Sequence, residues 1–507
     1  MVYPGKRGTP VVHVTFLFDN SILDHQPLGA SYISAVLKEA GHAVSVINVD
    51  KVPDCAEQVK QLNPGLVAYS ISSSSAARFF EINRAIKKKH DCFSLFGGPH
   101  AIFFPKTIEE EGIDAICTGE GEYPTLELVT ALEEGRDFTR ISSLSFKING
   151  KIIRNPNRPF IPKSELNHLP FPDRELIRGQ EVWKHRTGYV MAGRGCPYDC
   201  SYCFNHASRD SQPGRWTRQR SVENVLAELR WLKEKYKVIY IAFQDDTFIL
   251  NRRWLREFLP RYGKEIGLPF ICNVRCDLTD EEEVQLLAEA GCIRVATGIE
   301  NGDDTLRKTI LAKNITSEQI QKACDLYYAH GIQVVGQNMF GVPGETVDSA
   351  LATIELNIRC RTHINTFSFF APFPGTKLGE LCKEQYGFSG DLRELPKEFQ
   401  EKLAPSIRLE NKDLIEKIGQ CAHLFMSYPR VFWVTKWLLK RLPGKSLKIM
   451  YLDWLLRIRN DLMRWEIAGL PSLWHQPRFV REAIQSPLPE IPIQPVARET
   501  GPYQLGG

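Results

Sequence analysis

The sequence predicts an α/β protein: two successive parallel-sheet units followed by a helical region. Three observations predict it. From Val11 to Phe370, short apolar runs alternate with helix-length amphipathic stretches, the pattern of strands covered on both faces by crossover helices. The alternation is interrupted once, by a proline-rich connector from Asn149 to Arg186. Beyond Tyr386 the strand signals stop and the pattern turns mostly helical. A chain of 507 residues exceeds one ordinary core. The expected divisions are 1–148, a linker at 149–186, 187–385, a helical region at 386–485, and an irregular proline-rich tail at 486–507.

In the first unit, Val11–Phe18, Ala43–Asn48, Leu66–Ile71, Phe93–Phe96 and Ala115–Thr118 read as strands. Ser31–Ala40, Ala77–Lys89, Lys106–Glu111 and Tyr123–Glu133 read as the helices between them. Ligands of open parallel sheets sit beyond the carboxyl ends of the strands. Three polar or glycine-rich turns fall there: Ser72 to Ser75, Gly97-Gly98-Pro99-His100, and Gly119-Glu120-Gly121-Glu122. Glycine lets backbone approach a bulky ligand closely. No G-x-G-x-x-G follows the first strand, which argues against a nicotinamide dinucleotide.

In the connector, Asn149-Gly150 signals a hairpin between Ser143–Ile148 and Lys151–Arg154. Prolines at 156, 159, 162, 170 and 172 then preclude long helices.

The second unit opens on the strand-like run Tyr189-Val190-Met191-Ala192, and G-C-P-Y-D-C-S-Y-C-F follows from Gly195 to Phe204. Cys196, Cys200 and Cys203 thus form a C-x3-C-x2-C array. Three thiolates so spaced can hold three irons of a 4Fe–4S cluster and leave the fourth open to a small molecule. On spacing alone, a zinc site short of one ligand and three buried thiols are the other readings. Further strands are expected at Gly188–Ala192, Val238–Phe243, Phe270–Val274, Ile293–Thr297, Gln333–Phe340 and Thr366–Phe370. Helices such as Ser221–Tyr236, Asn251–Ile266, Asp280–Ala290 and Ser317–His330 separate them. Polar residues collect at the strand ends, where chemistry in parallel barrels lies: Asp245 and Asp246, Arg275, Glu300, Gln337 and Asn338. Cys272, Cys276 and Cys292 lie in or beside strands and read as core residues rather than a second cluster.

The cysteine array resembles that of the radical S-adenosylmethionine (SAM) superfamily. The run Gln26-Pro27-Leu28-Gly29, with the two glycine turns ending at Tyr123, resembles the cobalamin-binding domain that precedes many such barrels. The chain as a whole therefore resembles a cobalamin-dependent radical SAM enzyme. The resemblance implies a Rossmann-like cobalamin domain, a partial (β/α)6 barrel and a helical C-terminal cap. It implies three cofactors: a 4Fe–4S cluster on Cys196, Cys200 and Cys203, SAM, and cobalamin. Tyr202, Asp246, Arg275, Glu300 and Gln337 would contact SAM, with Tyr202 against the adenine. A carboxylate suits the SAM ammonium and ribose hydroxyls, and a guanidinium suits its carboxylate. A barrel salt bridge or loop cap is the alternative role for Asp246, Arg275 and Glu300. Leu28, Gly29, Ser72, Ser73, Gly97, Gly98, Pro99, Gly119, Glu120 and Gly121 would contact cobalamin. A D-x-H-x-x-G motif is absent, so cobalamin is expected without a protein imidazole below cobalt. A domain that keeps the fold but binds no cobalamin is the alternative.

The activity implied is methylation of an unactivated carbon or phosphorus centre by way of a 5′-deoxyadenosyl radical and methylcobalamin. Oxidation, cyclisation or ring rearrangement without methyl transfer is the second reading, and a non-catalytic iron–sulfur or cobalamin sensor the third. The partners implied are a small-molecule or lipid-like substrate and an electron donor of flavodoxin or ferredoxin type.

Bulk properties fit these expectations. A net charge of +4 gives no case for nucleic acid. Met1 to Pro10 is polar and unlike a signal peptide, and the apolar runs stay far below the about 18 residues of a membrane helix. Thirteen cysteines, an odd number, point to a reducing compartment, so a cytoplasmic location is expected. Between Cys421 and His475 lie five tryptophans and nine Lys or Arg against three Asp or Glu. The expected arrangement is a cap with Trp in the core and Lys stems along it. Peripheral membrane contact is the alternative.

Overall fold

Alternating β-branched and aromatic runs separated by capped helices build two parallel sheets. The computed structural model describes residues 12–20, 27–177, 186–362, 364–391 and 402–467. Residues up to Leu462 form one compact body; of 463–507 only the end of a helix is described. The expected tail at 486–507 lies outside the described residues.

The N-terminal sheet comprises β1 (Val14–Phe18), β2 (Val44–Asn48), β3 (Leu66–Ser70), β4 (Phe93–Gly97), β5 (Ala115–Cys117), β6 (Leu144–Ile148) and β7 (Lys151–Arg154) in the order β2-β1-β3-β4-β5-β6-β7. The first five strands are parallel. The hairpin across Asn149-Gly150 then adds two antiparallel strands to the edge. Both turn residues have positive φ, 49° and 76°, as a type I′ turn requires. Strand order reverses between β1 and β3, which makes that crevice the switch point of the sheet. Helices α1 (Leu28–Glu39), α2 (Cys55–Leu62), α3 (Ala76–Lys89), α4 (Pro99–Phe103) and α5 (Glu122–Glu134) complete the unit. The expected helix at Lys106–Glu111 is a single 3₁₀ turn, Pro105–Glu109.

After a short α6 (Lys163–Leu166), the second sheet runs β8 (Thr187–Val190), β11 (Tyr240–Phe243), β12 (Phe270–Val274), β13 (Cys292–Glu300), β14 (Gln333–Phe340) and β15 (Ile364–Phe369). All six are parallel and adjacent in chain order, and β8 does not pair with β15, so the barrel is open. A two-residue ribbon, β9 (Gly193–Arg194) with β10 (Arg218–Gln219), stands at its mouth. Helices α7 (Asn205–Ser211), α8 (Val222–Lys235), α9 (Arg252–Glu265), α10 (Glu281–Glu289), α11 (Asp304–Thr309), α12 (Ser317–Ala329), α13 (Val347–Arg359) and α14 (Lys377–Gln385) follow the strands. Side chains of Ser221, Asn251, Asp280, Asp303, Thr316, Thr346 and Thr376 cap seven of them. Cys272, Cys276 and Cys292 are buried in the apolar layer between sheet and helices, as expected.

The connector packs along both units. Asp173 accepts from Ser34 Oγ at 2.6 Å and pairs with Lys38, while Phe171 packs on Trp231 at 5.6 Å. Behind it Arg174, Arg220 and Glu228 form a fully buried triad, with Glu228 between the guanidiniums at 2.7 and 2.5 Å.

The C-terminal region is helical: α15 (Lys412–Ser427), α16 (Pro429–Arg441) and α17 (Lys445–Ile467). α15 buries Ile415, Ile418 and Phe425 with Phe340, Phe367 and Phe369 of β14 and β15. Gly419 allows this approach, since a Cβ there would stand 2.8 Å from the Phe369 ring. The tryptophans depart from expectation: Trp433, Trp437 and Trp454 are 44%, 53% and 56% exposed. The core of α16 is made instead by Phe432, Thr435 and Leu439. Trp474 and the side chain of Trp465 lie outside the described residues.

Candidate functional site

A cavity of about 470 Å³ opens at the switch point of the N-terminal sheet. Its floor is Phe16, Ala68, Tyr69, Ser70 and Leu95 from the carboxyl halves of β1, β3 and β4. Of the residues expected at cobalamin, Leu28, Gly29, Gly97, Gly98, Pro99, Gly119, Glu120 and Gly121 line it. Ser72 and Ser73 do not. Ser72 bonds within the turn that starts α3, its hydroxyl 3.1 Å from that of Ser75, and Ser73 Oγ meets His100 Nδ1 at 3.2 Å. Two of the glycines are sterically constrained: Gly98 has φ +84°, and a Cβ there would stand 2.8 Å from Ile71 N. A Cβ on Gly121 would meet Ile33 at 2.8 Å. A bare, largely apolar crevice with a backbone-lined rim fits a large flat ligand such as a corrin. His100 is buried behind Pro99, stacked on Phe104 at 4.8 Å, and burial pushes its imidazole down to about 4. Among the described lining residues none is a histidine.

The opposite wall belongs to the barrel: Met191, Gly193, Arg194, Gly195, Gln212, Trp216, Gln244 and Asp246. Of these, only Asp246 had been marked from sequence. Arg194 donates to Glu120 at 2.7 Å and to Glu122 at 2.6 Å. Arg218 grips Glu120 through two bonds of 2.9 Å and donates to Ile161 O at 2.7 Å. Burial alone would push the Glu120 carboxyl up, but the Arg218 and Arg194 guanidiniums outweigh it and hold Glu120 below the usual carboxylate range. Glu120 therefore borders the cavity as the keystone of an ion pair between the units. Signals for these partners were present but weak: a glycine-flanked arginine two residues before Cys196, and Arg218 in a polar run before a helix.

That wall leads into the cysteine loop. Each sulfur faces a polar group: Asn205 Nδ2 donates to Cys203 Sγ at 3.4 Å, Arg275 to Cys200 Sγ at 3.7 Å, and Thr247 Oγ1 lies 3.8 Å from Cys196 Sγ. N–H and O–H groups on sulfur are what thiolates of an iron–sulfur cluster use to tune charge. Three cysteines that each hold a different iron need not converge on one point. Among the described residues no group of three such ligands does. Arg275 also stacks on Tyr198, 3.4 Å from the ring centroid, and chelates Asp277 at 3.0 and 3.1 Å.

Above the sheet, Tyr202 and Glu300 meet. The Tyr202 hydroxyl and Lys313 Nζ both bond Glu300 Oε1, at 2.7 and 2.9 Å. Oε2 has no protein partner among the described residues. Burial first, and Glu300 second, push the Tyr202 phenol well up, so it remains a donor. Glu300 sits at φ +65° on an irregularity of β13. Gly298 makes room for it, since a Cβ there would fall 1.9 Å from Glu300 Oε1. Gln337 of β14 is the register partner of Gly298 and is exposed. The residues marked for SAM thus fall in three places: Tyr202, Glu300 and Gln337 together, Arg275 beside Cys200, and Asp246 on the cavity wall. Lys313 was missed, because a lone lysine in a loop carries no periodic signal.

The family model described as the Radical SAM superfamily matches residues 190–356. A second, described as a B12 binding domain, matches residues 14–129. The chain is 31% identical over 366 residues to an uncharacterized methyltransferase of Pyrococcus horikoshii, across 70% of this chain and 78% of that one. It is 25% identical over 423 residues to the cytidylyl-2-hydroxyethylphosphonate methyltransferase of Streptomyces wedmorensis, across 71% and 78%. The solved structure of OxsB, a cobalamin-dependent S-adenosylmethionine radical enzyme with aqua-cobalamin and S-adenosylmethionine bound, superposes with a TM-score of 0.64 at 18% identity, over 94% of this chain and 74% of that one.

Proposed function

Since this chain belongs to the radical SAM superfamily and carries a B12 binding domain ahead of its barrel, we propose that it methylates an unactivated carbon or phosphorus centre of a small-molecule substrate. The observation that carries the reading is the two-sided cavity, whose far wall runs through Gly195 directly into Cys196. A ligand at the switch point of the first sheet therefore faces the cysteine loop of the second. When bound, the cluster and SAM supply a carbon-centred radical, and cobalamin supplies the methyl group.

The chain's own residues supply position and exclusion of water. Cys196, Cys200 and Cys203 hold the cluster on a loop pinned by Asn205 and Arg275. Glu300 offers its free oxygen to the ammonium or ribose of SAM while Tyr202 and Lys313 fix the other. Gln337 and Asp246 provide further polar contacts on either side. Leu28, Gly29, Gly97, Gly98, Pro99, Gly119 and Gly121 form the cobalamin rim. Ser72 and Ser73, bonded elsewhere, are left out. An electron donor of flavodoxin or ferredoxin type would reduce the cluster.

The test is anaerobic reconstitution with cobalamin, iron, sulfide and methyl-labelled SAM in an extract of the source cell, read by mass spectrometry. A product heavier by one labelled methyl group is expected. Formation of 5′-deoxyadenosine with an oxidised or cyclised product and no label would replace methyl transfer by the second reading.

A further inference from the structure

Helices α16 and α17 follow one another through Pro443-Gly444, with Gly444 at φ +72°. Their inner faces are satisfied: Phe432, Leu439, Leu452 and Leu455 are buried, and Thr435 Oγ1 meets the Tyr451 hydroxyl at 3.0 Å. Their outer faces are apolar where solvent would favour polar residues. Trp433, Val434 and Trp437 on α16 and Leu447, Met450 and Trp454 on α17 are 44–65% exposed. Solitary exposed apolar residues are ordinary, but six on one helix pair, three of them tryptophan, form a patch that marks an interaction site.

The charge around the patch identifies the partner. Arg430, Lys440 and Arg441 share the exposed face of α16, and Arg457 is exposed on α17. Lys436 and Arg441 lie over the Trp433 and Trp437 rings at 5.5 and 4.3 Å. Arg430, Lys440, Arg441 and Arg457 make no ion pair among the described residues. From Cys421 to His475 the chain carries nine Lys or Arg against three Asp or Glu. A second copy of this face would bring like charges together, whereas an anionic surface would neutralise them. Tryptophan and a basic rim on an otherwise packed helix are the composition of an interfacial membrane contact. Among the described residues no helix is long and apolar enough to cross a membrane, so the contact would be peripheral.

We propose that the outer face of α16 and α17 docks the protein on an anionic lipid bilayer. The test uses the full chain with vesicles of phosphatidylcholine, with and without phosphatidylglycerol. Co-sedimentation with the anionic vesicles only, reduced by high salt, and quenching of tryptophan emission by brominated lipid are expected. Trp433→Ser/Trp437→Ser/Trp454→Ser should weaken binding at least about tenfold. Lys440→Glu/Arg441→Glu alters only exposed side chains, so it tests the site should the triple variant fold poorly, and it should weaken binding about as much. Absence of vesicle binding overturns the proposal, as does binding indifferent to both variants. Two other outcomes also overturn it. Concentration-dependent dimerisation lost in the triple variant would assign the face to a second copy. Tryptophans shielded from acrylamide in lipid-free protein that ignores vesicles would assign it to residues 468–507.

Discussion

Glu300 combines a positive φ, a glycine neighbour that leaves space for its carboxylate, and two donors on one oxygen. Such a residue is held in place at a conformational cost, and the oxygen left over is the part a ligand would use. Glu300→Gln should weaken SAM binding roughly ten- to hundredfold while iron content stays unchanged. Calorimetric titration of the reconstituted protein checks this; unchanged affinity with a lower melting temperature would make Glu300 a structural ion-pair partner. Glu345 is the contrasting carboxylate. It is buried, accepts from Gly341 N and from Asn301 Nδ2, and points away from solvent. Burial pushes it from 4.5 up to about 8, although those hydrogen bonds oppose the shift. The folded state therefore keeps a proton that the unfolded chain has lost. Its contribution is complete below about pH 4.5 and disappears as pH rises through about 8. Glu345→Gln should flatten that fall in stability across this window, as measured by denaturant midpoints.

At the level of elements, strands and crossover helices were legible because period and β-branching are local properties. Helix α2 was not: only Ala56 and Val59 of its eight residues are buried, too few to show a period, although Asp54 caps it by accepting from Glu57 N. The turns at strand ends were legible as turns but not by role. Ser72-Ser73 and Gly97-Gly98 both stand at the carboxyl end of a β-strand and lead into a helix. Only the glycine pair lines the cavity. Gly98 has the Ile71 backbone against it. Gly98→Ala should cost about 1–3 kcal/mol in thermal or denaturant unfolding and lower cobalamin uptake by the purified protein. Uptake at the parent level would separate this turn from the ligand.

Across the whole molecule, the cysteine array was legible in sequence and half of the cavity was not. The near wall is a set of turns, each with its own glycine signature. Arg194 and Gln212 of the far wall, with Arg218 beside them, reach Glu120 across 74 to 98 residues of chain. Only folding brings them together, so no local pattern reports it. Glu120 is therefore expected to matter for more than one unit. Glu120→Ala leaves Arg218 buried without its carboxylate and should destabilise the protein by about 3–5 kcal/mol. Denaturation followed with separate probes of the two units checks it. A loss confined to the N-terminal unit would show that the ion pair does not join them.

Trp216 lines the cavity and donates to Asn205 Oδ1 at 3.1 Å, and the same oxygen accepts from Cys196 N at 3.2 Å. The amide of that side chain reaches Cys203 Sγ. A single asparagine thus ties the cavity wall to the cysteine loop. A ligand that immobilised Trp216 would order the cysteine loop in the same act. Linkage would then be reciprocal: occupancy of the cavity and occupancy of the cysteine loop would raise each other's affinity by one common factor, whichever came first. Under that coupling, a shortage of either iron or corrin would deplete both forms of occupancy together.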